Sequence, residues 1–161
     1  MLIAVISDSH DHNENICRAA QIAAHSGCRE LLHLGDITSP AAVRALASFP
    51  GRIRAVFGNC DYERSELRRA FHDIGGSIDI GPLAFCLAGK RVIMMHEPAN
   101  LADLANSGST DIVLYGHTHS AECHHENGTM ILNPGECGSW SSPSSFAILN
   151  TDDLSVVHVP I

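Results

Sequence analysis

Five short polar clusters hold the residues of this chain that could do chemistry: Asp8-Ser9-His10, Gly35-Asp36, Gly58-Asn59-Cys60-Asp61, His96 and Gly116-His117-Thr118-His119. Together they offer hard oxygen donors and borderline nitrogen donors. Each cluster follows an apolar run, at residues 2–6, 31–34, 53–57, 92–95 and 112–115, and such runs read as buried strands. Donors at five strand ends can converge on one edge of a sheet, which is how a protein builds a two-metal site.

Taken singly, most clusters have an ordinary alternative. Asp8 before a helix could be a cap, because its carboxylate satisfies free backbone N–H groups there. Gly35-Asp36 could be a strand-ending turn, and Gly58-Asn59-Cys60-Asp61 a turn in which Gly and Asn accept positive φ. The most specific element is His117-Thr118-His119, since two imidazoles one residue apart after a buried strand are hard to justify by packing. A regular strand would point them apart, so a turn must reorient them if they serve neighbouring ions.

The elements that would position these clusters alternate through the first half, predicting an α/β fold with parallel strands and helical crossovers. Ile16, Ala19, Ala20, Ala23 and Ala24 recur at helical spacing before Gly27, which is placed to end the helix. Ser39 and Pro40 suit the start of a second helix over 40–48, and a third, more polar helix is expected over 64–71. From residue 74 onward, short strands are expected at 78–80, 83–87 and 91–95, with a short helix over 100–106. The tail reads as a meander of strands at 121–125, 130–132, 145–149 and 156–159, with an Asn127-Gly128 turn and a mobile Ser-rich loop over 139–145.

A length of 161 residues fits a single domain spanning 1–161, and 45% hydrophobic with 17% charged residues is ordinary for a globular protein. The formal charge of −8, with only 10 Lys and Arg, disfavours a broad nucleic-acid or anionic-membrane surface. Bound divalent ions would still outweigh Asp8 and Asp36 locally and attract one phosphate group. The six cysteines form no Cys-x-x-Cys pair and read as reduced thiols, mostly small buried hydrophobes. With no signal-like or membrane-length stretch, a cytoplasmic location is expected.

The ordered set of clusters, followed by Asn133-Pro134-Gly135, resembles the calcineurin-like metallophosphoesterase superfamily, in its small bacterial and archaeal phosphodiesterase branch. The resemblance implies a four-layer α/β/β/α sandwich with two mixed sheets. It implies one ion held by Asp8, His10, Asp36 and His119, and a second by Asp36, Asn59, His96 and His117, with Asp36 bridging. Manganese is the first expectation; iron, zinc, nickel and cobalt suit the same donors, better than calcium or magnesium do. The implied activity is hydrolysis of a small phosphodiester or nucleotide-like substrate by in-line attack of a metal-bridging hydroxide, with Asn59, Cys60 and Asp61 as the catalytic loop.

Two departures bear on substrate. Many members carry a histidine where this chain has Cys60, and a thiol is a poorer proton donor than imidazole, so aryl diesters should be better substrates than alkyl ones. After His96 the family usually continues with Gly and His, whereas here Glu97-Pro98 brings a negative charge near the phosphate site. Asp61 is expected to orient its loop or Cys60 and not to bind metal. His12, His33, His124 and His125 have bland readings: helix start, strand residue beneath Asp36, and an adjacent pair facing opposite sides of a strand. The rival function is a non-catalytic protein-interaction module, as in the retromer subunit of the same fold, and a nuclease is a third. Expected partners are a small phosphate ester and a second copy of the chain as a homodimer, without a membrane or large nucleic acid.

Overall fold

The computed structural model describes residues 1–141 and 143–161. Strands β1 (Leu2–Ile6), β2 (Glu30–His33), β3 (Arg52–Val56) and β4 (Ser77–Asp79) run parallel in that order. Helices α1 (Asn13–His25), α2 (Pro40–Ala45) and α3 (Arg64–Asp73) make the crossovers, and α2 is extended by a 3-10 turn over Leu46–Ser48.

Local chemistry fixes the helix ends. His12 accepts a hydrogen bond from Asn15 N at the start of α1. At its finish, Gly27 adopts φ +79° while Gly27 N and Cys28 N donate to Ala24 O and Ala23 O, the paired bonds of a Schellman stop. Ser39 Oγ accepts from Ala42 N with Pro40 in the first turn of α2, where its missing N–H costs nothing.

The second sheet holds β5 (Leu83–Leu87), β6 (Lys90–Met94), β7 (Ile112–Leu114), β8 (Glu122–Glu126) and β9 (Thr129–Asn133) in the order β5-β6-β7-β9-β8. Its central pairs, β6 with β7 and β7 with β9, are parallel, and its outer pairs are antiparallel. Helix α4 (Leu101–Asn106) connects β6 to β7. Finally β10 (Ser145–Asn150) returns to lie antiparallel to β1, and β11 (Val156–Pro160) pairs with β10.

Alternation along β1 separates the layers. Ala4 and Ile6 pack with Ile16, Ala20 and Phe71 of the helices, whereas Ile3 and Val5 pack with Met94, Leu114 and Leu132 of the other sheet. A third cluster, built on Val113, Tyr115, Ile131 and Ala105, seats α4 on the outer face of the second sheet. Helices, sheet, sheet and helix therefore stack as the expected α/β/β/α sandwich of two mixed sheets.

The tail departs from the expected meander. The β8–β9 hairpin belongs to the second sheet and the β10–β11 hairpin to the first, because β10 is buried on both faces: Phe146 packs with the helices, Ala147 and Leu149 between the sheets. Period-two alternation identifies strands but does not say which sheet they join. Residue 142, within the loop expected to be mobile, lies outside the described residues. None of the six cysteines is in a disulfide, yet only Cys28 and Cys137 are buried; Cys86 and Cys123 are exposed on sheet strands, and Cys17 and Cys60 are intermediate. Among the described residues no helix is long and apolar enough to cross a membrane.

Candidate metal centre

The loops leaving β1, β2, β3, β6 and β7 meet at one end of the sandwich. They are laced together by backbone: Asp8 N donates to Gly35 O at 3.0 Å, His10 N to Asp36 O at 2.9 Å, and Gly116 N to His96 O at 3.0 Å. Side chains add to the lacing, with His117 N donating to Asp8 Oδ2 at 2.9 Å and Cys60 N to Asp36 Oδ1 at 2.7 Å. Tight turns produce this convergence. Asp8, His10, Asp36, His117 and His119 all have φ between +41° and +67°, a region non-glycine residues rarely adopt. Such strain persists only where surrounding contacts over-determine it, and it clusters at functional sites.

All seven donor residues singled out in the sequence come together. Asp8, His10 and His119 place ligand atoms within 4.8 Å of one another, as do Asp8, Asp36 and His96. Asn59 Oδ1 lies 2.8 Å from His96 Nε2 and 3.0 Å from His117 Nδ1. Asp36 Oδ2 stands between the two groups, 3.7 Å from His10 Nε2 and 3.5 Å from His96 Nε2. His10, Asp36 and Cys60 form a further such group, so the Cys60 sulfur also borders the cluster.

Hydrogen bonding on the far side of each ring decides which nitrogen faces inward. His96 Nδ1 is 2.9 Å from Leu34 O, an acceptor, so it carries the proton and turns Nε2 toward Asn59 and the carboxylates. His119 Nδ1 contacts the fully buried Glu136 carboxylate and turns Nε2 toward Asp8 Oδ1 at 3.4 Å. A carboxylate behind an imidazole is the arrangement that fixes a metal-ligating histidine.

One atom shows what is missing from the protein's own bonding. Asp8 is completely buried and its Oδ1 has no hydrogen-bond partner among the described residues. A buried carboxylate oxygen left this way is costly, and it faces imidazole nitrogens whose lone pairs would repel it. A divalent cation satisfies all of them at once, so the residues present fit a metal. The charges agree. Although burial works against it, the Asp36 carboxyl is held down to about 2 by His96 and the Cys60 amide, and so is ionised. Burial likewise opposes charge on His96, but Asp36 and Asp8 outweigh it and raise its pKa, so these carboxylates draw positive charge to Nε2, a proton in the metal-free pocket that a cation would displace. Burial, followed by Asp36, pushes the Cys60 thiol up to about 11, so it keeps its proton at neutral pH.

Asp61 stands apart from these donors. Its Oδ2 accepts from Asp36 N at 2.9 Å and Gly58 N at 2.7 Å, and its Oδ1 from Thr38 N at 2.8 Å. The carboxylate is thus absorbed in bracing the two loops. His12 caps α1, and His124 pairs with Glu122 on an exposed strand. His33 is fully buried, accepting from Gly35 N and therefore donating from Nε2 to Ser9 Oγ at 3.0 Å.

Glu136 and Trp140 escaped the sequence reading, and Asn133 stood in it only as part of the Asn133-Pro134-Gly135 motif, with no role assigned. Glu136 closes the Asn133-Pro134-Gly135-Glu136 stretch that follows the apolar run 130–132, four residues beyond that run, so the strand-end signal falls on Asn133 and not on Glu136 itself. Asn133 Nδ2 donates to Gly116 O at 3.1 Å and Thr118 Oγ1 at 3.0 Å, holding the two-histidine turn. Trp140, 75% exposed, lies 5.7 Å from the His10 ring and lines, with His10, Asp36, Asn59, Cys60 and the two histidines of the turn, a cleft of about 310 Å³. Nothing in its Ser-rich surroundings singled it out.

Comparison with known proteins agrees with this architecture. Phosphodiesterase MJ0936 of Methanocaldococcus jannaschii is 30% identical over 161 residues, covering 94% of each chain. Phosphodiesterase YfcE of Escherichia coli is 27% identical over 176 residues, covering 98% of this chain and 91% of its own. The solved structure of an archaeal phosphodiesterase superposes with a TM-score of 0.94 at 28% identity, covering both chains completely. Residues 1–154 match the calcineurin-like phosphoesterase superfamily domain, and with the fold and the donor cluster in accord, the chain belongs to that superfamily.

Proposed function

We propose that this chain is a phosphodiesterase that works with two divalent ions, manganese foremost, on a small phosphodiester or nucleotide-like substrate. Asp8, His10, Asp36 and His119 would hold one ion and Asp36, Asn59, His96 and His117 the other, with Asp36 shared. The observation that carries this reading is the buried Asp8 Oδ1, without a hydrogen-bond partner among the described residues, amid inward-facing imidazoles. When bound, such a pair of ions polarises phosphoryl oxygens and lowers the pKa of water toward neutrality.

The chain's own residues supply the rest. Glu136 orients His119 and Leu34 O orients His96, so both rings are fixed before substrate arrives. Asp61 and Asn133 hold the loops that carry Asp36, Gly58 and the two-histidine turn. Cys60 borders the cleft as a protonated thiol, able to donate to a departing oxygen but less effectively than imidazole. Good leaving groups need that help least, which favours aryl over alkyl diesters.

Turnover of bis(p-nitrophenyl) phosphate by manganese-loaded protein tests the proposal. Hydrolysis should stop with chelator and fall to background in Asp8→Asn, Asn59→Ala and His117→Ala variants that retain their circular dichroism spectrum. Near-normal rates in metal-replete variants would contradict the assignment, and absence of turnover in loaded wild type would favour the interaction module.

A further inference from the structure

A second cleft, of about 280 Å³, opens from the same centre and shares Asn59 with the first. His96 lines it too, so both clefts adjoin the donors at which a phosphate would be held. Its walls are otherwise different in kind. Phe57, Ile80, Pro82 and Met95 are apolar, and the only charged residues lining it are Arg64 and Glu97. The Arg64 guanidinium sits 5.1 Å from the centre of the Phe57 ring, a stacked arrangement that gives this side a flat, weakly hydrated cation.

Exposure points the same way. Of the four large apolar side chains exposed among the described residues, Ile80 at 62% and Trp140 at 75% line these two clefts, and Tyr62 at 81% directly follows the Asn59-Cys60-Asp61 loop. Single exposed apolar residues mean little, but two that line adjoining clefts at one centre mark a surface that expects an apolar ligand.

The geometry points to the Phe57/Ile80 cleft as the subsite for an uncharged aromatic ester arm of the substrate, either a simple aryl group or a nucleoside. Arg64 and Arg68 are both held against the Phe57 ring, at 5.1 and 4.9 Å from its centre, and the walls are otherwise apolar, which suits a flat uncharged arm, while Glu97 offers an acceptor to a hydroxyl or amine. This deepens the phosphodiesterase reading and rests on it.

Calorimetry on the manganese-loaded protein with two non-hydrolysable probes, 2-phenylethylphosphonate and ethylphosphonate, tests the subsite. The phenylethyl compound should bind about tenfold more tightly, from burial of its ring, and Ile80→Ser, a change at an exposed position, should remove most of that difference. Equal affinities, or a difference abolished by Trp140→Ala and untouched by Ile80→Ser, would overturn the assignment even with bis(p-nitrophenyl) phosphate turned over normally. If neither phosphonate binds and no diester is hydrolysed, the phosphodiesterase reading fails and the subsite with it. The KM values of phenyl and 5′-thymidyl p-nitrophenyl phosphates then separate the two arms: a lower value for the thymidyl ester identifies a nucleoside, and a lower value for the phenyl ester a simple aryl group.

Discussion

At the scale of single residues, the centre depends on groups that orient other groups. Glu136 touches no solvent, and its carboxylate fixes the ring of His119. Glu136→Gln keeps the shape and loses the charge, so metal affinity measured by competition with a chelating dye should fall about 10- to 100-fold; an unchanged affinity would deny the residue this role. His33 makes a different prediction. Burial, with a smaller push from His96, lowers its pKa from the usual 6.5 to about 3, so the folded protein keeps it neutral while the unfolded chain protonates it. Stability should therefore fall as pH drops from 6.5 toward 3, by at most about 1.4 kcal/mol per pH unit from this group. Urea midpoints at pH 7, 6 and 5 should decline less steeply for His33→Gln than for wild type; parallel declines would contradict it. The donors themselves were legible because each polar residue interrupts an apolar run. Glu136 lies four residues beyond its apolar run, and its role depends on β9 pairing beside β7 with β8 displaced to the edge, which no local pattern shows.

At the scale of elements, regular structure brings the chain to the site and irregular structure makes the site. Every strand preceding a cluster was legible to within a residue or two, since apolar runs bounded by Gly and Asp leave little choice of period. The turns were not, because positive φ at five donor residues is imposed by tertiary contacts that no local pattern encodes. Gly58 shows how closely the loops approach. A Cβ there would lie 2.1 Å from Asp36 Oδ1 and 2.4 Å from the Asp36 backbone nitrogen. Gly58→Ala must push the β2 and β3 loops apart, at a cost of about 1–3 kcal/mol, and should weaken metal binding together with thermal stability. Loss of stability with metal affinity intact would mean that the loops adjust independently of the donors. The tail taught the opposite lesson: its strands were visible in the sequence, but the sheet each joined depended on both faces of β10 being buried.

At the scale of the whole molecule, a chain of formal charge −8 concentrates buried carboxylates, Asp8, Asp36, Asp61 and Glu136, at one end of a four-layer sandwich. Asp61 and Glu136 are satisfied within the protein; Asp8 and Asp36 face the imidazoles. Burial of that much like charge is tolerable only with counter-charge, which the divalent ions of the proposed centre would supply without using the chain's one lysine and nine arginines. Ions that bind only the folded chain would also stabilise it by mass action. The most direct test is elemental analysis of protein reconstituted with manganese and freed of excess metal, alongside Asp36→Asn, which alters the shared carboxylate. Two equivalents per chain in wild type and a clear loss in the variant are predicted; one equivalent or none in a wild-type preparation that hydrolyses diesters would contradict the two-ion centre.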